Sequence, residues 1–167
     1  MTLDELNLLP PDQAKTEFLK CCGATRWASA MTEARPFAGN DELFATADDV
    51  WWSLSTEDWL EAFRAHPKIG EKKAAATQAE QAQSWSAHEQ SGVASATSQT
   101  KDDIARLNRE YEDRFGFIFI VCASGKSSEE MLAILNSRIG NDRDTELRIA
   151  AEEQTKITKL RLRKLLG

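Results

Sequence analysis

Phe117-Ile118-Phe119-Ile120-Val121-Cys122 is the one run in this chain with convincing strand character, rich in aromatic and β-branched residues. A single strand cannot build a sheet. On either side the apolar residues recur at helical spacing, with Ile104, Leu107, Tyr111 and Phe115 before the run and Met131, Leu132 and Leu135 after it. The pattern predicts an all-α fold: a single-domain, multi-helix bundle over 1–167 with one extended apolar segment near 117–122. The segment's backbone N–H and C=O groups then have no ladder and must find other partners, a bound polar ligand among them.

Helix punctuation is plentiful. Leu3, Leu6, Leu8 and Leu9 precede Pro10-Pro11, and Asp12 can cap a helix that turns Phe18, Leu19 and Cys22 inward. A second helix from Thr25 carries Trp27, Ala28 and Met31 and must end before Pro36. Thr46 to Leu54 reads as a heavily apolar turn or two. Ser55 with Asp58 resembles a capping box, and Trp59, Leu60 and Phe63 form the buried stripe that follows. Asp102 or Asp103 can cap the helix that ends at Gly116, and Ser127 with Glu130 is a cleaner capping box. The last helix starts near Asp144 or Thr145 and carries Leu147, Ala150, Ile157, Leu162 and Leu165. Arg161 stands between its leucines, where a snorkelling surface Arg and an inward Arg facing an anion are both open readings.

Net charge of −6 leaves no basic stripe to displace counterions from phosphates, so a nucleic-acid partner is not expected. No stretch approaches about 20 uninterrupted apolar residues, so no membrane span is expected either. Three cysteines without CxxC or Cys/His spacing argue against a structural zinc and for reduced thiols in the cytoplasm. The acidic N-terminus lacks a signal peptide's basic start and apolar core. Ser124-Gly125-Lys126-Ser127 is not a phosphate loop, because Ile120 stands where that motif requires Gly.

Two motifs carry candidate chemistry. In His66-Pro67-Lys68-Ile69-Gly70, Pro67 removes a backbone donor and disfavours helical dihedrals at His66, so the incoming helix stops there. Gly70 permits a turn next to it. Helix-stop punctuation and an imidazole presented for chemistry both fit these residues. In Ser86-Ala87-His88-Glu89 the hydroxyl and the carboxylate are three apart, hence on one helical face. A capping box with Ser86 as N-cap fits equally.

In order and spacing, His66-Pro67-x-Ile69-Gly70, Ser86-x-x-Glu89-Gln90-x-Gly92, Phe115 to Gly125 and Glu146-Leu147 through Arg161-Leu162 together resemble the 2-oxo-4-hydroxy-4-carboxy-5-ureidoimidazoline (OHCU) decarboxylases. Ala34-Arg35-Pro36-Phe37 and Val50-Trp51-Trp52-Ser53-Leu54 also resemble that family. The resemblance runs from about Phe18 to Leu165 and implies an all-helical, cofactor-free lyase of urate degradation. Its small-molecule substrate would lose CO2 and be protonated stereospecifically to (S)-allantoin. By position, the resemblance implies catalytic roles for His66 and Glu89 and substrate contacts from Ser86 and Arg161. Pro67 would lie against the substrate ring, and backbone groups of Phe119, Ile120 and Val121 would meet its amides. No metal is implied. Members of the family are often dimeric, and no interface motif here decides for or against a homodimer.

Loss of CO2 needs an electron sink, which the substrate's own C=O or C=N group can supply. Only interactions that strengthen along that path accelerate it. Arg161 and backbone N–H groups are therefore expected at oxygens that gain charge. His66, oriented or kept protonated by Glu89, would supply the proton. Two rival readings remain at this point. One is a metal-dependent hydrolase using His66, His88 and Glu89, although adjacent residues point about 100° apart on a helix. The other is a non-catalytic helical interaction module with a Trp-rich surface.

Overall fold

The computed structural model describes residues 1–68, 80–91 and 97–167; Ile69, Gly70 and Gly92 of the two resembling motifs lie outside them. The described residues form helices and contain no strand, in agreement with the all-α expectation. The helices are α1 (Leu3–Leu8), α2 (Pro11–Cys21), α3 (Thr25–Glu33), α4 (Asn40–Ser53), α5 (Thr56–Arg64), α6 (Glu80–Glu89), α7 (Ser98–Phe115), α8 (Ser128–Arg138) and α9 (Arg143–Leu166). They gather into two compact units, one of Met1–Ala62 with Thr155–Gly167 and the other of Phe63–Gln154. Among the described residues, no helix is long and apolar enough to cross a membrane.

Several boundaries differ from expectation for identifiable reasons. Thr2 caps α1 through a complete capping box with Glu5. Pro10 is the N-cap of α2 and Pro11 its first residue, so Asp12 falls in the first turn rather than at the cap. Leu19 then faces outward at 37% exposure, while Phe18 and Cys21 are buried. The apolar stretch at 46–54 is the second half of a 14-residue helix with Asp41 and Glu42 in its first turn. Thr97, not Asp102 or Asp103, caps α7. The Ser55–Asp58 box forms reciprocally, with Asp58 N–H donating to Ser55 Oγ and Ser55 N–H to Asp58. Ser127 Oγ likewise accepts the N–H of Glu130. Gly116 ends α7 at φ +80°, a left-handed conformation that a residue with a Cβ would resist.

In the first unit, fully buried Trp27 meets Phe18 edge to face and donates its indole N–H to the carbonyl of Ala47 at 3.1 Å. Arg35 gathers carbonyls at the end of α1, reaching Leu6 at 2.7 Å and Leu9 at 2.8 Å. Asn7 exchanges two hydrogen bonds with the Phe37 backbone. The Ala34–Phe37 corner, whose Arg35–Pro36 peptide is cis, is thereby tied to α1. Trp59 stacks on Trp51 at 5.9 Å and donates to its carbonyl. Trp27 and Trp51 are buried and Trp52, Trp59 and Trp85 half-buried, so none forms an exposed aromatic surface. This removes the feature on which the interaction-module reading rested.

Burial pushes the Cys22 thiol up to about 12 and Cys21 higher still. Since the thiolate is the reactive form, neither should react in the folded chain. Half-buried Cys122, raised less, is expected to react first with a thiol reagent at pH 8. Labelling followed by peptide mapping checks that order, and early modification of Cys21 or Cys22 would contradict it.

Candidate active site

Within the Phe63–Gln154 unit, α5 delivers His66. Phe63 is fully buried and its ring packs 5.8 Å from Phe117, which anchors the helix end. The His66 N–H donates to the Phe63 carbonyl at 3.1 Å, closing the last turn before half-buried Pro67. The imidazole Nε2 lies 2.7 Å from Oε1 of Gln154 on α9. Lys68 pairs with Glu112 of α7 at 2.7 Å, fixing the chain just beyond the proline.

Ser86 and Glu89 lie inside α6, not at its start, so Ser86 does not cap the helix. Both are buried, at 3% and 8% exposure, on a face shared with Ala82, whereas His88 is exposed. Glu89 and His88 therefore point to different sides, against a shared metal centre. Among the described residues no group of His, Cys, Asp or Glu is arranged to hold a metal ion.

The run at 117–122 is neither helix nor strand and is mostly buried, and backbone groups of Ile120 and Cys122 find side-chain partners instead of a ladder. Arg138 of α8 donates from Nη1 to the Ile120 carbonyl at 2.6 Å. Glu153 of α9 accepts the Cys122 N–H at 3.2 Å, and Lys126 Nζ donates to the Cys122 carbonyl at 2.7 Å. Arg138 is itself buried against Glu146, with Nε at 2.5 and 3.1 Å from the two carboxylate oxygens. Its guanidinium lies 4.6 Å from the centre of the Phe119 ring and 3.3 Å from the Tyr111 hydroxyl. Phe119 thus turns its side chain inward. Burial raises the Tyr111 phenol far above its ordinary value, so it stays protonated.

Several of these groups converge. Neighbours on α9, Glu153 and Gln154, hold Cys122 and His66 respectively. Burial chiefly raises the Cys122 thiol, and the negative charges of Glu153 and Glu89 raise it further. Arg161 belongs to the other compact unit. At 3% exposure it is buried rather than snorkelling, with Nη1 3.4 Å from the Lys20 carbonyl. Glu153, Gln154 and Arg138 are not singled out by the sequence, and Glu146 enters there only as the start of a resembling block. The signal was a set of polar residues in a register that otherwise reads apolar, with Gln154 between Ala150 and Ile157.

A family model described as OHCU decarboxylase matches residues 7–163. The chain belongs to the OHCU decarboxylase family. These are carboxy-lyases of urate degradation. It is 30% identical over 97% of its length to the OHCU decarboxylase of Haloferax volcanii, covering 94% of that protein. It is 38% identical over 90% of its length to the uric acid degradation bifunctional protein TTL of Arabidopsis thaliana. The chain spans about half of that plant relative, 47% of its length. Among solved structures, an OHCU decarboxylase crystallised in the presence of (S)-allantoin matches with a TM-score of 0.78 and 39% identity, over 90% of this chain and 96% of that one. An (S)-allantoin synthase structure at 20% identity shares the fold, with a TM-score of 0.72 over 99% of this chain and 54% of that one.

Proposed function

We propose that residues 1–167 act as one decarboxylase domain in the cytoplasm, converting OHCU to (S)-allantoin and CO2 without a cofactor. In OHCU the saturated C4 carries the hydroxyl and the carboxyl, so the ring double bond joins C5 to nitrogen. The C4–carboxylate bond breaks, its electron pair forms a C4=C5 bond, and the C=N pair moves onto nitrogen, which is protonated. The resulting enol is protonated at C5 and loses the C4 hydroxyl proton to become the ketone. With the carboxylate ionised, the sum consumes one proton. His66 supplies the proton at C5 from one face, which sets the configuration.

The single observation that carries this reading is the His66–Gln154 contact beside the Glu153–Cys122 contact, which ties the proton donor to the 117–122 segment within one unit. Ser86 and backbone groups of Phe119 to Val121 bind the ring and ureido amides, and Pro67 packs on the ring. Arg161 is the cationic substrate contact that the family resemblance implies. It serves an oxygen that gains charge rather than the departing carboxylate. Freshly generated OHCU given to the purified chain should yield optically active allantoin faster than buffer does. Equal rates would refute the proposal. Glu89→Gln should lower kcat less than loss of the imidazole does, because Glu89 orients the donor and does not itself deliver the proton; an equal loss in stopped-flow turnover would place the carboxylate in the transfer itself.

A further inference from the structure

The His66–Gln154 contact fixes more than distance. A carboxamide oxygen can only accept, so Nε2 of His66 must carry a hydrogen at 2.7 Å from Oε1. Gln154 is fully buried, on the α9 residue after the one that grips Cys122. A buried amide of this kind holds its rotamer and presents one oxygen in one place. We propose that Gln154 is the positioning residue of His66, holding Nε2–H so that the proton delivered to substrate leaves from Nδ1.

The assignment rests, for its catalytic half, on the decarboxylase reading. In the step itself the Nδ1–H bond breaks, its electron pair stays on Nδ1, and the hydrogen forms the C5–H bond. The ring is left as the neutral Nε2–H form, still donating to Gln154, and solvent water restores the Nδ1 proton. An acceptor on Nε2 thus serves both protonation states without moving. Without it the neutral ring could flip or exchange tautomers, and the lone pair would no longer face one direction.

Nitrogen-15 NMR of histidine-labelled protein reads the tautomer directly. The chain has two histidines, so the His66 signals are those that vanish in His66→Asn. At a pH where the ring is neutral, Nε2 is expected to show the protonated shift and Nδ1 the lone-pair shift. Gln154→Leu should mix the two forms and lower kcat about 10- to 100-fold with KM nearly unchanged, as expected for a misplaced reacting group. Gln154→Glu, which keeps an acceptor oxygen, should restore the Nε2–H signature. A wild-type His66 protonated on Nδ1, or a Gln154→Leu variant with the parent tautomer and kcat, would overturn the proposal, as would a loss confined to KM. The wild-type spectrum decides even if the variants fail to fold. A clear Nε2–H signature in a chain that does not accelerate OHCU loss would overturn the decarboxylase reading instead.

Discussion

His66→Asn is expected to lower kcat on OHCU by about 100- to 10,000-fold while changing KM by no more than a few fold. Asparagine is close in size to imidazole and can still meet Gln154, but it cannot release a proton near neutral pH. The groups that hold His66 do not depend on the ring. Phe63 is packed on Phe117, and Lys68 is tied to Glu112. The helix stop should therefore survive the substitution, with the binding surfaces that we propose on the 117–122 segment and α6 intact. Loss of CO2 would continue at a slower pace, and the enol would be protonated by water from either face. The product should accordingly lose optical purity along with rate. Stopped-flow decay of freshly generated substrate, read beside circular dichroism of the allantoin formed, checks both parts. A variant with unchanged turnover and weakened affinity would remove His66 from proton transfer and leave it as a binding group.

How far the sequence could be read depended on whether the decisive interaction was local. The His66-Pro67 stop, the Ser55–Asp58 box and the Ser127 cap are set by residues within four positions of one another, and each appears where the spacing put it. The lone apolar run at 117–122 could be recognised as ladderless, because one strand has no partner. What supplies its partners was not legible. Arg138, Lys126 and Glu153 come from three places along the chain, and nothing in local propensity pairs a guanidinium with a particular carbonyl. Leu19 and Asp12 were misjudged for a related reason. Pro10-Pro11 fixes where α2 starts and moves Asp12 into its first turn; Phe18 and Cys22 are buried as expected, Cys21 is buried with them, and only Leu19 turns outward. Within α9 a sharper signal was available. Gln154 and Arg161 stand among the buried Leu147, Ala150, Ile157 and Leu165, and both are themselves buried, at 0% and 3% exposure. A polar residue kept on a buried stripe needs a partner, and the partner is where function is to be sought.

Arg138→Met is expected to destabilise the fold by about 3–5 kcal/mol, the cost of leaving one member of a buried ion pair without the other. Glu146 is fully buried, and Arg138 shares its single Nε–H between both carboxylate oxygens while reaching Ile120 and Tyr111 with its other nitrogens. Removing the guanidinium strands a carboxylate in the core and releases the Ile120 carbonyl. These two consequences can be separated. In Arg138→Met/Glu146→Leu neither charge remains, and replacement of a buried pair by apolar groups is often neutral or stabilising by about 1–4 kcal/mol. Urea unfolding followed by tryptophan fluorescence should therefore show most of the lost stability regained in the double variant. The Ile120 carbonyl stays unanchored in both variants, and with it the backbone at 119–121 that we propose meets substrate. KM for OHCU should remain raised in the double variant after stability has recovered. Recovery of both would mean that the pair acts only through stability. A double variant as unstable as the single one would mean that the hydrogen bonds to Ile120 and Tyr111, not the opposed charges, hold this part of the core together.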